Sequence, residues 1–381
     1  MNETDTKPKI VTIFGTRPEA IKLAPVVRHL DLHDDVESVT IATGQHRELS
    51  RDMIDYFRMR IDIDLDVMEP GLSLNALLAK TIRAIDPHLE RLAPKMVLVQ
   101  GDTLSALAGA ICAFQRGIEV GHIEAGLRTP TAKNPFPEEM NRRLVTRMTD
   151  WHFAATRSNV RNLRREGVLK NNIFRVGNPV LDSLALMGDV GAHSHADELL
   201  NRVGGRPYIL MTMHRRENLG ERMRDYFRAI VGHLHNNPDW CVVFPVHPNP
   251  SVVRLAAEMF ASEPNAVLCE PLGYGDFQHL LRGASLILSD SGGVQEEAPW
   301  YRRPLIVLRE STERPEVVEC GFARLAVDGS ELAQQLAEVV KPADIEDKPN
   351  PFGDGRSGPR IARIVTRIAC RQTLPTPEAR R

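Results

Sequence analysis

The stretch Ser285–Glu297 reads SLILSDSGGVQEE. A short apolar run, Leu286, Ile287 and Leu288, ends at Ser289 and Asp290. Ser291, Gly292 and Gly293 then precede a segment with helical composition from Val294 onward. A strand, a tight glycine turn and a helix start in that order present unpaired backbone N–H groups at the positive end of the helix dipole. Two glycines let a phosphate approach the backbone. Glu297, about one turn further on, is placed to accept hydrogen bonds from ribose hydroxyls. One reading is a site for a diphosphate attached to a nucleoside. The other is a serine-capped helix whose glycines serve packing alone, and the stretch by itself leaves the two level.

The same grammar recurs along the chain. Short apolar runs are expected as strands at Ile10–Phe14, Ser38–Ala42, Met96–Gln100, Val120–Glu124, Trp151–Ala155 and Ile173–Val176. Six more are expected at Tyr208–Met213, Cys241–Val246, Ala266–Glu270, Leu286–Ser289, Leu305–Leu308 and Arg324–Val327. Continuous apolar runs mark strands buried on both faces. Amphipathic segments such as Leu74–Leu92, Arg222–His235 and Ser251–Phe260 alternate with them. Repeated βα units imply an α/β fold of parallel, doubly wound sheets. A dozen strands exceed one such sheet, so two domains are expected within the 381 residues. The boundary falls near Gly177-Asn178-Pro179, giving domains 1–177 and 178–356, with a final helix at about 357–381 crossing back to the first domain. Gly188–Gly205 is polar and weakly patterned and reads as a surface excursion.

Composition narrows the function. A net charge of −2 and 5% aromatic residues give no basic field and few stacking platforms for nucleic acid. The five cysteines are scattered, without a CxxC pair, which fits reduced thiols in a cytoplasm rather than a zinc site or disulfide frame. No signal-like N-terminus and no apolar run of spanning length is visible. Asp62-Ile63-Asp64-Leu65-Asp66 has DxD spacing, but it also alternates like an edge strand with a wet polar face, the favoured reading. No metal and no cofactor are expected, and the GxGxxG dinucleotide fingerprint is absent.

Ligands of open α/β sheets bind at the carboxyl ends of strands, so polar residues there are the candidates. Arg17, after the first strand, suits a diphosphate, since guanidinium binds phosphate bidentately. Asp102 closes a strand, although taken alone it reads better as the N-cap of the helix that follows. Glu124 also closes an apolar strand, with Arg128 as a possible ion-pair partner. Glu138 and Glu139 fall in the first turn of a helix, where the dipole favours both. His214 and His247 follow strands of the second half, and Arg314 lies in the loop Ser311–Glu316.

The segments FGTRPEAIK, TGQHREL, GDT, HIEAGLRT, FPEEMNRR, HRREN, PVHPNP, DSGGVQEEAP and TERPE occur here in the order seen in non-hydrolysing UDP-N-acetylglucosamine 2-epimerases of the bacterial type. The chain resembles that family from about Lys9 to Asn350–Gly355. The resemblance implies two Rossmann-like domains facing a cleft, a GT-B-like arrangement. It implies interconversion of UDP-GlcNAc and UDP-ManNAc, through elimination of UDP to 2-acetamidoglucal and re-addition, and a homodimer. Alternatives are a hydrolysing relative that releases ManNAc and UDP, and an inert UDP-sugar sensor. Carried over residue by residue, Asp102, Glu124, Glu138 and His214 match catalytic positions. Arg17, Lys22, Ser291, Gly292, Gly293, Glu297 and Arg314 match positions associated with UDP, and Phe277 is expected near the uracil. Gln45, Arg215 and His247 fall on motifs linked to a second, regulatory UDP-GlcNAc site. The chain departs from some relatives at Glu48, at Pro70-Gly71 and along Thr129–Asn134. The resemblance implies no membrane and no nucleic-acid partner.

Overall fold

The computed structural model describes residues 7–45, 47–133, 135–188, 194–338 and 345–374. Of the segments singled out above, His46, Asn134, residues 189–193 and 375–381, and the side chains of residues 47–49 lie outside that set. The chain divides into two compact units, Met1–Leu186 with Phe352–Arg381, and Met187–Pro351.

The first unit is built on seven strands: β1 Lys9–Phe14, β2 Glu37–Ala42, β3 Ile63–Asp64, β4 Met96–Gln100, β5 Glu119–Ile123, β6 Trp151–Ala154 and β7 Ile173–Arg175. The second has β8 Tyr208–Thr212, β9 Cys241–Pro245, β10 Ala266–Cys269, β11 Leu286–Ser289, β12 Leu305–Val307 and β13 Ala323–Leu325. Their orders are β3-β2-β1-β4-β5-β6-β7 and β10-β9-β8-β11-β12-β13. The strand pairs are parallel, as in Val97 beside Val120 and Leu210 beside Val243. Strand order reverses between β1 and β4 in one sheet and between β8 and β11 in the other. Loops leave these neighbours toward opposite faces, which opens a crevice at their carboxyl ends.

Central strands such as β4, MVLVQ, are buried along their whole length, as continuous apolar runs require. Helix Leu74–Leu92 is capped by Ser73, whose hydroxyl accepts from the N–H of Ala76 at 3.2 Å. It turns Leu77, Thr81, Ile85 and Leu89 inward, one per turn, and Ile85 and Leu89 join Val11, Ile13, Val39, Ile41, Val97 and Val99 in one core. In the second unit Tyr226, Phe227, Phe244 and Phe260 fill the corresponding space, and the Tyr226 hydroxyl donates to the carbonyl of Ala326 at 2.9 Å.

Two segments differ from the sequence reading. Gly188–Gly205 contains a helix, Ser194–Val203, which buries Ala196, Leu199 and Val203 at helical spacing. Its few apolar residues were too sparse to reveal the pattern against a polar background. Helix Pro179–Met187, read as the start of the second domain, groups with the first unit up to Leu186. Its Asp182 carboxylate accepts from the N–H groups of Ser357 at 2.9 Å and Gly358 at 2.8 Å, so it caps helix Ser357–Ala369 from outside that helix. That last helix lies against Arg17–Leu30, and a Cβ added to Gly358 would fall 2.9 Å from the carbonyl oxygen of Pro25.

The DxD run forms β3, a sheet-edge strand beside β2. Asp62 accepts from the N–H of Thr40 at 2.8 Å and pairs with Arg60 at 2.9 Å, so its carboxylate serves the sheet edge. Among the described residues no group of three or more His, Cys, Asp or Glu is placed to hold a metal, and no helix is long and apolar enough to cross a membrane.

Gly126 shows how tightly the loop after β5 is pressed on helix Arg157–Arg165. Its φ is +88°, and a Cβ there would lie 2.4 Å from the carbonyl oxygen of Asn159. Gly126→Ala therefore combines a left-handed backbone with overpacking and is expected to destabilise the fold by roughly 1–3 kcal/mol, read from the midpoint of urea unfolding.

Candidate functional site

In the first unit the candidate residues gather at the carboxyl ends of β1, β4 and β5. Asp102 follows β4, but it is not the helix cap: Thr103 fills that role for Leu104–Gln115, accepting from the N–H of Ala106 at 3.0 Å. The Asp102 carboxylate is gripped by Arg142, whose Nε lies 3.0 Å away and whose Nη2 also donates to it. Arg142 is nearly buried and also pairs with Glu139 at 3.0 Å. Glu139 is completely buried and further accepts from the N–H of Thr129 at 3.0 Å and from Arg143 at 2.7 Å. It thus ties the loop after β5 to helix Glu138–Met148. Glu138, its neighbour in the same first turn, is half-buried and has no hydrogen-bond or ion-pair partner among the described residues.

Glu124 sits directly after β5 with φ at +66°, a region that L side chains rarely adopt. Such strain persists where the surroundings enforce it, and it gathers at functional sites. Its carboxylate accepts from Lys22 and from Gln100 Nε2, the latter at 2.7 Å. Arg128 is not its partner. That guanidinium forks onto Glu166 at 2.5 and 2.9 Å, because the left-handed turn at Gly126 carries it toward helix Arg157–Arg165. Lys22, associated with UDP by the resemblance, is buried on helix Arg17–Leu30 as the cation beside Glu124. Arg17 opens that helix, half-buried, with no ion-pair partner among the described residues. His122 lies inside β5, and burial pushes it down to about 3. It is therefore neutral, and its Nε2–H donates to the carbonyl of Gly101 at 2.8 Å, bracing the turn that leads into Asp102.

Glu19 was not singled out from the sequence, although Thr16-Arg17-Pro18-Glu19 has the spacing of a capping box. Its carboxylate accepts from the N–H groups of Gly15 at 3.0 Å and Thr16 at 2.8 Å, and from the hydroxyls of Thr16 and Thr103, each at 2.8 Å. It is 1% exposed, and burial outweighs these hydrogen bonds to lift its pKa from the ordinary 4.5 to about 7.

In the second unit the corresponding residues lie at the ends of β8, β11 and β12. Asp290, absent from the sequence-based candidates, is fully buried just beyond β11. Its carboxylate accepts from the backbone N–H of His214 at 3.0 Å and of Arg215 at 2.9 Å, and from Asn218 Nδ2 at 3.0 Å. His214 Nδ1 is 3.2 Å from it. Burial holds His214 below its ordinary range; Asp290 opposes that, while Arg215 and the stacked ring of His247, 5.9 Å between centroids, reinforce it. Arg215 also donates through Nε to the carbonyl of Asp290 at 2.9 Å. On the first unit, Gln45 accepts from the Ser105 hydroxyl at 2.9 Å.

Ser291 stands at the N-cap of helix Gly292–Glu297, but its side chain makes no capping bond, so the reading as a serine-capped helix loses its cap. Arg314 lies against that turn. A Cβ on Gly292 would meet Arg314 Nη1 at 2.8 Å, so a side chain there would shift the guanidinium from this position. Glu296 orients it at 2.6 Å, and Glu313 lies 3.5 Å from it. Burial would raise Glu313, yet the Arg309 fork at 2.8 and 3.0 Å and the Arg314 charge hold it down at about 2. Glu297, read as a ribose acceptor, is buried and takes bonds from the Tyr274 hydroxyl at 2.9 Å and Gln278 Nε2 at 2.8 Å. Phe277 is half-buried on the same helix, Tyr274–Gly283.

Glu19 links stability to pH with a definite sign. Below pH 4.5 it is protonated both folded and unfolded. As pH rises toward 7 the unfolded chain releases the proton first, so the folded state loses stability across that window. The loss approaches about 3 kcal/mol at roughly 1.4 kcal/mol per pH unit. Glu19→Gln removes the titration. Its unfolding free energy, relative to the unsubstituted chain, is expected to improve by up to that amount between pH 4.5 and 8 in denaturant titrations.

Comparison with known proteins places this geometry in a family. A family model described as UDP-N-acetylglucosamine 2-epimerase matches residues 28–366. The chain is 41% identical over 360 residues to UDP-N-acetylglucosamine 2-epimerase of Bacillus subtilis, covering 93% of this chain and 94% of that one. It is 38% identical over 370 residues to the Salmonella typhimurium enzyme of the same name, covering 94% and 98%. Among solved structures, the S. aureus MnaA–UDP co-structure superposes with a TM-score of 0.87 at 34% identity, covering 97% of this chain and 99% of that one. UDP-GlcNAc 2-epimerase from Neisseria meningitidis bound to UDP-GlcNAc superposes at 0.83 with 35% identity, covering 96% and 100%. With the model matching most of its length and relatives above a third identical along nearly all of it, the chain belongs to the UDP-N-acetylglucosamine 2-epimerase family.

Proposed function

We propose that the protein interconverts UDP-GlcNAc and UDP-ManNAc without releasing free sugar. The observation that carries this reading is the pair of adjacent strand ends, β4 and β5, bearing Asp102 and Glu124, each carboxylate beside its own buried cation, Arg142 or Lys22. The proton at C2 of this sugar is not next to a carbonyl and is poorly acidic, so simple deprotonation and return is unfavourable. Elimination avoids that carbanion. The C1–O bond breaks with its electron pair leaving on UDP, a base takes the C2 proton, and the C2–H electron pair becomes the C1=C2 double bond of 2-acetamidoglucal. Re-addition of UDP to C1, with a proton delivered to the opposite face of C2, completes the inversion. Atoms balance with no cofactor.

The reading needs acid–base groups for two faces of C2 and positive charge for the departing diphosphate. Asp102, Glu124 and Glu138 are the proton-handling candidates. Arg17, His214, Arg314 and the glycine turn Ser291–Gly293 are the groups for the diphosphate. The family relatives solved with UDP or UDP-GlcNAc support the substrate class. A homodimer and a regulatory role for Gln45, Arg215 and His247 belong to the same proposal by resemblance.

A proton NMR time course with UDP-GlcNAc in D2O tests the reaction. The expected result is deuterium at C2 and UDP-ManNAc rising to a plateau with no free sugar. ManNAc accumulating in step with UDP would replace this reading by a hydrolytic one, and absence of exchange would leave a binding protein. Gly292→Ala displaces Arg314, and is expected to weaken UDP binding roughly tenfold by calorimetry, the scale of one charge-assisted contact.

A further inference from the structure

We propose that Glu19 is the positioning residue that locks the loop carrying Arg17 to the loop carrying Asp102. The proposal rests on the functional reading above and names a group that this reading does not use.

Glu19 divides its two carboxylate oxygens between the loops. Oε2 takes the N–H groups of Gly15 and Thr16 and the Thr16 hydroxyl, fixing the turn between β1 and Arg17. Oε1 takes the hydroxyl of Thr103, the residue after Asp102. Thr103 in turn caps helix Leu104–Gln115, so its hydroxyl is held on both sides. The bridge thus spans the β1/β4 crevice at the point where strand order reverses. Beneath it the β1 loop is pressed close: a Cβ on Gly15 would lie 2.1 Å from Ser105 Oγ and 2.2 Å from Thr43 Oγ1. Ser105 and Thr43 are themselves 2.8 Å apart through their hydroxyls. Polar side chains therefore join the ends of β1, β2 and β4, and Glu19 is the one that reaches the two loops bearing candidate site residues.

A simpler local cap would not need this carboxyl. Local capping accounts for the bonds to Gly15 and Thr16 but not for the bond to Thr103, and burying a carboxyl so deeply that it resists ionisation near neutral pH costs stability. A group retained against stability at the mouth of a candidate site is best accounted for by geometry: misplacing a phosphate cation relative to a catalytic carboxylate by about 1 Å can cost on the order of 100-fold in rate. Glutamine is able to keep the bridge, its carbonyl facing the Gly15 turn and its amide donating to the Thr103 hydroxyl. Alanine cannot.

The test compares the full-length protein with Glu19→Ala, Glu19→Gln and Asp182→Ala, with hydrogen exchange of residues 15–16 and 101–104 followed beside epimerisation kinetics. Asp182 is a buried carboxylate that caps the last helix and lies outside the candidate site. Glu19→Ala is expected to lower kcat roughly 10–100-fold with KM changed less than about threefold, and to speed exchange in both loops. Glu19→Gln is expected to retain at least about a third of kcat, and Asp182→Ala to lower Tm while keeping kcat. Should Glu19→Ala not fold, Thr103→Val cuts the same bridge from the other side and Thr103→Ser restores it, with the same expected contrast. The proposal is overturned if Glu19→Ala keeps kcat within about twofold, if faster exchange is confined to Gly15 and Thr16, or if Asp182→Ala loses as much kcat. If the unsubstituted protein leaves UDP-GlcNAc unchanged, the functional reading fails, and exchange in the two loops then decides the positioning claim by itself.

Discussion

A carboxylate below the surface needs a partner, and that requirement organises the strand ends of both units. Asp102 has Arg142, Glu124 has Lys22, and Glu139 has Arg142, Arg143 and a backbone N–H. Glu313 has Arg309, and Asp290 has two backbone N–H groups and an asparagine amide. Removing one partner would leave the other charge uncompensated, which costs more than the pair contributes. The loops after β4, β5, β8, β11 and β12 are therefore held by ionic contacts that also set the local charge.

Glu19 meets the requirement differently. It has hydrogen bonds but no neighbouring cation among its bonded partners, and burial dominates its titration. The contrast with Glu313 is instructive, since both are buried acids with several donors. A bidentate arginine drives Glu313 down to about 2, whereas hydroxyl and N–H donors alone leave Glu19 near 7. The Arg309 fork thus keeps Glu313 a fixed anion, whereas Glu19, among hydroxyl and N–H donors, gains and loses its proton close to neutral pH.

Much of the site was legible in the chain because its residues follow apolar runs directly. A charged residue at the end of a buried strand is visible in one dimension, and that signal singled out Arg17, Asp102, Glu124 and His214 as candidates. The same signal was present at Asp290, between Ser289 and Ser291, and the capping-box spacing was present at Glu19. What spacing did not reveal was partnership. Arg142 is 40 positions from Asp102, and Lys22 is 102 from Glu124. Arg128, the nearer cation in sequence, points away because Gly126 turns the backbone through a left-handed conformation.

Apart from helix Ser194–Val203, the element types, the parallel character of the sheets and the strand ends at which polar residues collect were readable from the chain. Those follow from local periodicity, from continuous apolar runs and from glycine and proline at the turns. Tertiary structure decided the strand order, which puts β1 beside β4 and β8 beside β11, and with it the two crevices. It also decided which cation faces which carboxylate, and that helix Pro179–Met187 caps the last helix instead of opening the second unit. Strand order and charge pairing depend on contacts between residues far apart in the chain, and no local pattern encodes them.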